Sequence, residues 1–154
     1  MSKISDLVTF AKADQTNTYK DVNFGYVTNL QAQEINAKTG VSVNGCKRCL
    51  TASGIRHAIS SHGDLKSEKR KENQIAITDA DFELIPEILN NPDYLVRGGN
   101  NRRGNDAVEF IKAFKRKDYH VVMSVVVFKN GRELVFNTMY IKSLKVVLSK
   151  KPMH

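Results

Sequence analysis

Three small groups of residues in this sequence have side chains that could act on a phosphate group. The first is Lys112, which follows Val108 and Phe110 at every second position and would share their face in a β-strand. A lysine on an apolar face is costly to desolvate unless it is paired or functional, so Lys112 is a candidate for binding phosphate and stabilising negative charge. The same alternation also allows the opposite face to be buried, which would leave Lys112 in water.

The second group is a pair of hydroxyl residues, Thr138 and Tyr140, which follow Leu134 and Phe136 at the same two-residue spacing. A regular strand would place all four side chains on one face, so that the two hydroxyls continue an apolar stripe. There they could bind phosphate oxygens or assist proton transfer. Hydroxyl residues are also common in strands for structural reasons, and the pair becomes a candidate site only if Lys112 lies beside it.

The third group consists of His57 and His62, whose imidazoles are the natural acids and bases at neutral pH. Because they are five positions apart, a regular helix would point them about 140° away from each other. Both could serve one site if the helix ends before Gly63 and the glycine turns the chain back in a left-handed cap. A helical histidine is often only a packing or capping residue, and His120 and His154 are assigned no role.

Capping residues and apolar spacing predict four short helices in the first part of the chain. They are a helix within residues 1–22, a helix capped by Thr28 and Gln31 and ended by Gly40, a helix capped by Ser53 and ended by Gly63, and a helix opened by Thr78 and Asp81. Pro86 should kink or divide the last of these helices because proline lacks a backbone N–H.

From about residue 107 the pattern changes to period two with β-branched and aromatic residues, which predicts strands. Asn130-Gly131 indicates a hairpin, because both positions of such a turn need positive φ. The strands are expected within 94–97, 108–116, 119–129 and 133–142, and 144–149 could add an edge strand. Residues 41–50 form either a strand or a loop. Helices followed by strands indicate an α+β fold, with N-terminal helices packed on one face of a twisted antiparallel sheet. We expect a single domain over residues 1–154, helical to about residue 92 and strand-rich from about 93 to 149.

The charge of the chain bears on its partners. Lys and Arg outnumber Asp and Glu by 24 to 16, which gives a formal net charge of +8. Such an excess favours a polyanion such as nucleic acid, and an acidic protein could use the same surface. A solubilising basic surface accounts for the charge equally well. No stretch is long and apolar enough to suggest a membrane span.

Several classes of site are disfavoured by the motifs. Cys46 and Cys49 form a C-x-x-C pair, but the histidines that follow do not have zinc-finger spacing and no thioredoxin-like pattern surrounds the pair. We expect two ordinary thiols, with no metal and no cofactor. Acidic clusters for two metal ions, a glycine-rich phosphate loop and a G-x-S-x-G motif are absent from the sequence, which weighs against metallonucleases, kinases and serine hydrolases.

An ordered series of segments resembles the phage-associated nucleases of the barnase, EndoU, colicin and RelE-like superfamily. These nucleases occur as C-terminal domains of phage head-morphogenesis proteins and of polymorphic or contact-dependent inhibition toxins. The resemblance extends from about residue 24 to 141, and the combination is far more specific than any one motif. The segments are FGYV (24–27), TG (39–40), IRHAISSHGD (55–64), Glu68, Gln74, ITDADFELIPEILNNPDYL (77–95), EFIKAFK (109–115) and ELVFNTMY (133–140).

The resemblance implies a helical N-terminal half and a four-stranded antiparallel sheet whose concave face holds RNA. It also implies that His57, His62, Lys112, Thr138 and Tyr140 line the site. His62, ahead of His57, would act as base or acid, and Lys112 would stabilise the phosphorane. Thr138 and Tyr140 would orient the phosphate, with Tyr140 a candidate proton donor. Contacts to the RNA are expected from the basic residues Arg56, Arg97, Arg102, Arg103 and Lys115, although charged loops are often simply solvated.

The implied function is a metal-independent endoribonuclease toxin that cleaves tRNA, rRNA or mRNA to a 2′,3′-cyclic phosphate and so stops translation. The reaction needs a base for the 2′-hydroxyl, an acid for the leaving 5′-oxygen and positive charge near the phosphorane. Expected partners are RNA and an acidic immunity protein, and the free protein should be a monomer. It would act in the bacterial cytoplasm, delivered as the C-terminal part of a secreted or phage-injected protein. The alternatives are a non-catalytic nucleic-acid-binding module and a structural phage or secretion component.

Overall fold

The structure is a computed structural model that describes residues 2–13, 19–62, 74–99, 105–114, 118–128 and 131–143. Its helices are α1 (Lys3–Ala13), α2 (Asn29–Thr39), α3 (Ala52–His62), a 3-10 helix (Asp79–Leu84) and α4 (Ile85–Asn90). Its strands are β1 (Asp21–Tyr26), β2 (Lys47–Thr51), β3 (Gln74–Ile75), β4 (Tyr94–Gly98), β5 (Ala107–Ala113), β6 (Asp118–Phe128) and β7 (Arg132–Ser143).

The ends of α2 follow directly from its sequence. The Gln31 backbone N–H donates to the Thr28 hydroxyl at 3.1 Å, and the Thr28 N–H donates to the Gln31 side chain at 3.2 Å. This reciprocal pair satisfies two of the N–H groups that a helix start leaves unpaired. Gly40 ends the helix at φ 77°, in the left-handed region that favours glycine. The predicted boundaries of this helix are confirmed.

Helix α3 begins immediately after β2, two residues earlier than the predicted cap at Ser53 indicated. Thr51, rather than Ser53, accepts from the Gly54 N–H at 3.0 Å, and Ser53 is already helical. Gly54 lies against β7, where an added Cβ would come within 2.8 Å of the Phe136 ring. The glycine therefore allows the first turn of α3 to pack closely on the sheet.

The segment after β3 is divided at Pro86, as predicted. It forms a 3-10 helix followed by α4, with the proline in the first turn of α4, where a missing N–H costs little. Asp81 accepts from the Thr78 N–H at 2.7 Å, which confirms the predicted capping pair.

The sheet contains more strands than the resemblance implied. Its order is β1-β2-β7-β6-β5-β4, with β3 pairing with the far end of β7. The four expected strands β4 to β7 are antiparallel neighbours, but β2 pairs with β7 in parallel, so the sheet is mixed. The additional strand β1 has six half-polar residues and was not predicted, whereas β2 overlaps residues 41–50, where the sequence allowed either a strand or a loop.

All described helices pack on one face of the sheet, which we call the helix face. The main apolar cluster joins Leu7 of α1, Ile35 of α2, Ile55 of α3 and Ile88 of α4 to strand residues such as Phe110. This two-layer arrangement confirms the predicted α+β class, with helices on one side. Within the described residues, the helices are too short or too polar to cross a membrane.

Candidate active site

A bulge in β7 decides which side chains lie opposite the helices. Phe136 pairs with Ser124 of β6 and Thr138 pairs with Met123, so Asn137 is an extra residue. An inserted residue shifts the alternation by one and turns the following side chains over. Phe136 therefore lies on the helix face, whereas Thr138 and Tyr140 lie on the other side, which we call the second face. The expectation that Thr138 and Tyr140 continue the stripe of Phe136 is wrong for this reason.

Polar side chains gather on the second face around the bulge. Strand register places Glu109 of β5, Met123 of β6 and Thr138 of β7 in one row. Tyr140 belongs to the neighbouring row, and Lys142 follows it along β7. The Lys142 ammonium lies 5.1 Å from the centre of the Tyr140 ring. A carboxylate, two hydroxyls and an ammonium thus share this part of the sheet.

Burial raises the pKa of both Glu109 and Tyr140. Glu109 is half-buried, and this desolvation raises the pKa of its carboxyl although the positive charge of Lys142 opposes the shift. Burial also raises the pKa of Tyr140, and the nearby Glu109 charge adds to the effect. Tyr140 consequently keeps its proton at neutral pH, while Glu109 becomes a stronger base than an ordinary glutamate.

Thr138 has an unpaired hydroxyl in this cluster. Its side chain is 6% exposed, and its Oγ1 has no hydrogen-bond partner among the described residues. Leaving a buried polar group unpaired costs about 1–3 kcal/mol. Such a group is often retained where it serves function. The Thr138 hydroxyl could pair with a bound ligand oxygen.

The structure brings together only part of the set that the resemblance implied. Thr138 and Tyr140 share the second face, but Lys112 lies on the helix face, opposite them. His57 is exposed on α3, in the helix layer. His62 is the last residue of α3, and its side chain lies outside the described part of the structure.

The two described arginines expected to bind RNA have partners within the protein. Arg56 donates to the Ala11 carbonyl at 3.2 Å and ties α3 to α1. Arg97 forms an ion pair with Asp106 at 2.8 Å, half exposed at the edge strand β4. The other basic residues predicted to contact RNA lie outside the described residues; they are Arg102, Arg103 and Lys115.

Lys112 is held by the segment that links α4 to β4. Its Nζ donates to the Asn91 carbonyl at 2.8 Å and lies 3.8 Å from the Glu87 carboxylate and 4.0 Å from that of Asp93. The side chain is 18% exposed, so these contacts are partly shielded from water. In the described structure, Lys112 anchors this link to β5.

Replacing Lys112 with Met is therefore expected to lower the free energy of unfolding by about 1–3 kcal/mol, because it leaves the Asn91 carbonyl without its donor and removes the positive charge beside Glu87 and Asp93. Urea denaturation of both proteins measures the change. A variant that keeps its stability but loses catalytic activity more than 100-fold would instead place the site on the helix face.

His120, which was assigned no role from the sequence, forms a buried pair with Asp81. Its Nε2 lies 2.8 Å from the Asp81 carboxylate, and its ring packs edge-on against Phe114 at 5.0 Å. Burial alone would raise the pKa of Asp81, but the hydrogen bonds from His120 and Thr78 outweigh it and lower the pKa. The pair joins the 3-10 helix to β6.

The lowered pKa of Asp81 predicts a loss of stability in acid. Because the folded state favours the ionised carboxylate, its contribution is present above the ordinary value of 3.8 and is lost as the pH falls through the lower folded-state pKa. Asp81→Asn should reduce the free energy of unfolding at pH 7 by about 1–3 kcal/mol. It should also make that free energy depend less on pH below the ordinary pKa of aspartate. Denaturation curves at several pH values check both effects, and an equally steep acid dependence in the variant would contradict them.

The two cysteines are both free and buried. Burial raises the pKa of both thiols, that of Cys49 to about 11, although Arg132 opposes the shift at Cys46. Thiols that stay protonated are weak nucleophiles and weak metal ligands. No group of three His, Cys, Asp or Glu side chains within the described ranges is placed to share a metal ion.

Sequence reasoning missed Glu109, Asn137 and Lys142. One signal for the bulge was present: the buried apolar positions of β7 change from even numbers at Phe136 to odd numbers at Met139. A change of phase within one strand indicates an inserted residue. Recognising this change of phase would have placed Thr138, Tyr140 and Lys142 on the face opposite Phe136.

An α+β layer of this kind, with acid–base groups on the face opposite the helices, is typical of a small enzyme. Comparison with protein families matches residues 25–149 to the family described as phage-Barnase-EndoU-ColicinE5/D-RelE like nuclease3. The chain belongs to this nuclease family. Comparisons with curated proteins and with solved structures found no match.

Proposed function

We propose that the protein is a metal-independent endoribonuclease whose active site lies on the second face of the sheet, around Glu109, Thr138, Tyr140 and Lys142. Family membership supports nuclease activity and a nucleic acid substrate. The observation that carries the location is the partly buried Glu109 carboxylate with a raised pKa, in a row with the unpaired Thr138 hydroxyl. RNA fits these groups because it carries its own nucleophile, the 2′-hydroxyl.

In the proposed reaction, Glu109 takes the proton of the 2′-hydroxyl and the 2′-oxygen attacks the neighbouring phosphorus. The bond from phosphorus to the 5′-oxygen breaks as Tyr140 gives that oxygen a proton. Lys142 stabilises the additional negative charge on the phosphorane, and Thr138 donates a hydrogen bond to a non-bridging oxygen. The products are a 2′,3′-cyclic phosphate and a free 5′-hydroxyl, so the chemistry is balanced without another reactant.

The test is incubation of the purified protein with total RNA in excess EDTA, beside Glu109→Gln, followed by gel analysis and mapping of the fragment ends. We expect fragments from the parent only, each ending in a cyclic phosphate. RNA that stays intact in all conditions would refute the enzyme and favour a binding module. Cleavage that stops in EDTA would refute the metal-independent mechanism.

We further propose that cleavage of tRNA, rRNA or mRNA makes the protein a toxin in the bacterial cytoplasm, reached by secretion or phage injection. A producing cell would then need an acidic inhibitor protein, for which a chain with a net charge of +8 is a natural partner. Inducible expression tests this step: growth should arrest with the parent and continue with Glu109→Gln. Growth that arrests equally with both would contradict toxicity through RNA cleavage.

A further inference from the structure

Aromatic rings lie beside Glu109 on the second face. Tyr94 of β4 packs against Tyr119 of β6, with ring centres 6.1 Å apart and planes tilted by 49°. Tyr119 and Val121 are buried and form the base of this cluster, whereas Tyr94 and Tyr140 remain partly exposed. The sheet therefore presents accessible rings on rigid strands, next to the proposed catalytic groups.

The charges of this face are few. On the described parts of β4 to β7, its charged side chains are Glu109, Glu133 and Lys142. Proteins that bind duplexes rely on several lysines or arginines that neutralise phosphates. Proteins that bind single strands also use positive charge, but they add aromatic side chains on which unpaired bases stack. The composition of the second face fits unpaired bases better than a duplex backbone.

The register places the aromatic rings at a useful distance from the reacting groups. Tyr94, Ile111, Val121 and Tyr140 occupy one row across four neighbouring strands. Three strand spacings separate the backbones of Tyr94 and Tyr140 by about 14 Å. Glu109 lies between them on β5, in the neighbouring row. A nucleotide seated on Tyr94 would thus adjoin a phosphate bound at Glu109 and Tyr140.

We propose that Tyr94, supported by Tyr119, stacks an unpaired base next to the cleaved bond and so restricts the substrate to single-stranded RNA. This inference rests on the proposed function, because it names the substrate class of the same site. A paired base is stacked within its own helix and cannot also cover the Tyr94 ring.

Binding of an uncleavable strand tests stacking separately from catalysis. The probe is a single-stranded oligonucleotide of 2′-O-methyl RNA, compared with its duplex by fluorescence anisotropy. Tyr94→Leu should weaken single-strand binding about 5- to 100-fold, whereas Tyr94→Phe, which keeps the ring, should bind like the parent. Tyr26→Leu is the matched control, since Tyr26 is 66% exposed on β1, at the opposite edge of the strand order from Tyr94 on β4.

A spectroscopic reporter supplies a readout that a merely structural role of Tyr94 would not affect. The chain contains no tryptophan, so Tyr94→Trp introduces a single tryptophan, which preserves an aromatic surface and can be excited selectively over the tyrosines. We expect the single strand to quench its emission and the duplex to leave it unchanged. Equal binding of duplex and single strand, unchanged binding by Tyr94→Leu, or no quenching would each overturn the stacking proposal. If the protein binds the single strand as expected but does not cleave natural RNA, the proposed nuclease activity is refuted and the stacking proposal is retained.

Discussion

Glu109→Gln is expected to lower kcat for RNA cleavage about 10²- to 10⁴-fold, the usual contribution of a general base. Glutamine keeps the size of the side chain but cannot accept the 2′-hydroxyl proton. Because the carboxylate is partly buried and costly to desolvate, its replacement should leave stability unchanged or slightly higher. Initial rates on a fluorogenic RNA oligonucleotide, together with thermal unfolding, measure both effects.

The matched control for this variant is Glu133→Gln. Glu133 lies on the same face, near the start of β7, where it is paired with Lys47 at 3.8 Å. Its replacement should leave kcat within about twofold of the parent, since it is remote from the Glu109 row. Equal losses in the two variants would indicate a general effect of charge and would remove Glu109 from the mechanism.

The pH profile gives a second readout of the same base. The cleavage rate should fall as the pH drops through the raised pKa of Glu109, because protonation removes the base. The midpoint of this acid limb of the pH–rate profile should lie above the ordinary glutamate pKa of 4.5. Lys142 lowers that pKa by its charge, so Lys142→Met should move the limb to higher pH. A limb that moves to lower pH in this variant would contradict the assignment.

Much of the fold was readable from local sequence signals. Thr28 with Gln31 located the start of α2, and Pro86 located the division before α4, because caps and prolines act within a few residues. The strands β5 to β7 followed from period-two alternation. These signals arise from interactions between residues that are close in the chain, so a single sequence is sufficient to recognise them.

The arrangement of the site could not be read in the same way. Alternation correctly placed Lys112 on the same face as Phe110. It could not show that Tyr140 lies on the opposite face, because that depends on the bulge at Asn137. The pairing of β2 with β7 and the contact of His120 with Asp81 join residues far apart in the chain. Such contacts depend on tertiary packing, which no local pattern encodes.

Tyr140→Phe is expected to lower kcat for RNA about 10²-fold or more, because the leaving 5′-oxygen would depart without a proton. The phenol of Tyr140 is protonated at neutral pH, and although burial makes it a weaker acid, the leaving 5′-alkoxide is a stronger base and can take its proton. The change removes one hydroxyl and keeps the ring against Lys142 and the neighbouring apolar side chains, so the fold should persist. Tyr26→Phe, which removes the hydroxyl of an exposed tyrosine on β1, is the control and should retain activity.

A substrate with a better leaving group separates the acid from the base. A ribonucleoside 3′-(4-nitrophenyl phosphate) releases a stable phenolate that needs no proton, so Tyr140→Phe should cleave it at nearly the parent rate. Glu109→Gln should remain inactive on this ester, because the 2′-hydroxyl must still lose its proton. If both variants cleaved this ester at nearly the parent rate, or if neither did, the division of roles between Glu109 and Tyr140 would be contradicted. The opposite pattern, with only Glu109→Gln recovering, would exchange the roles of the two residues.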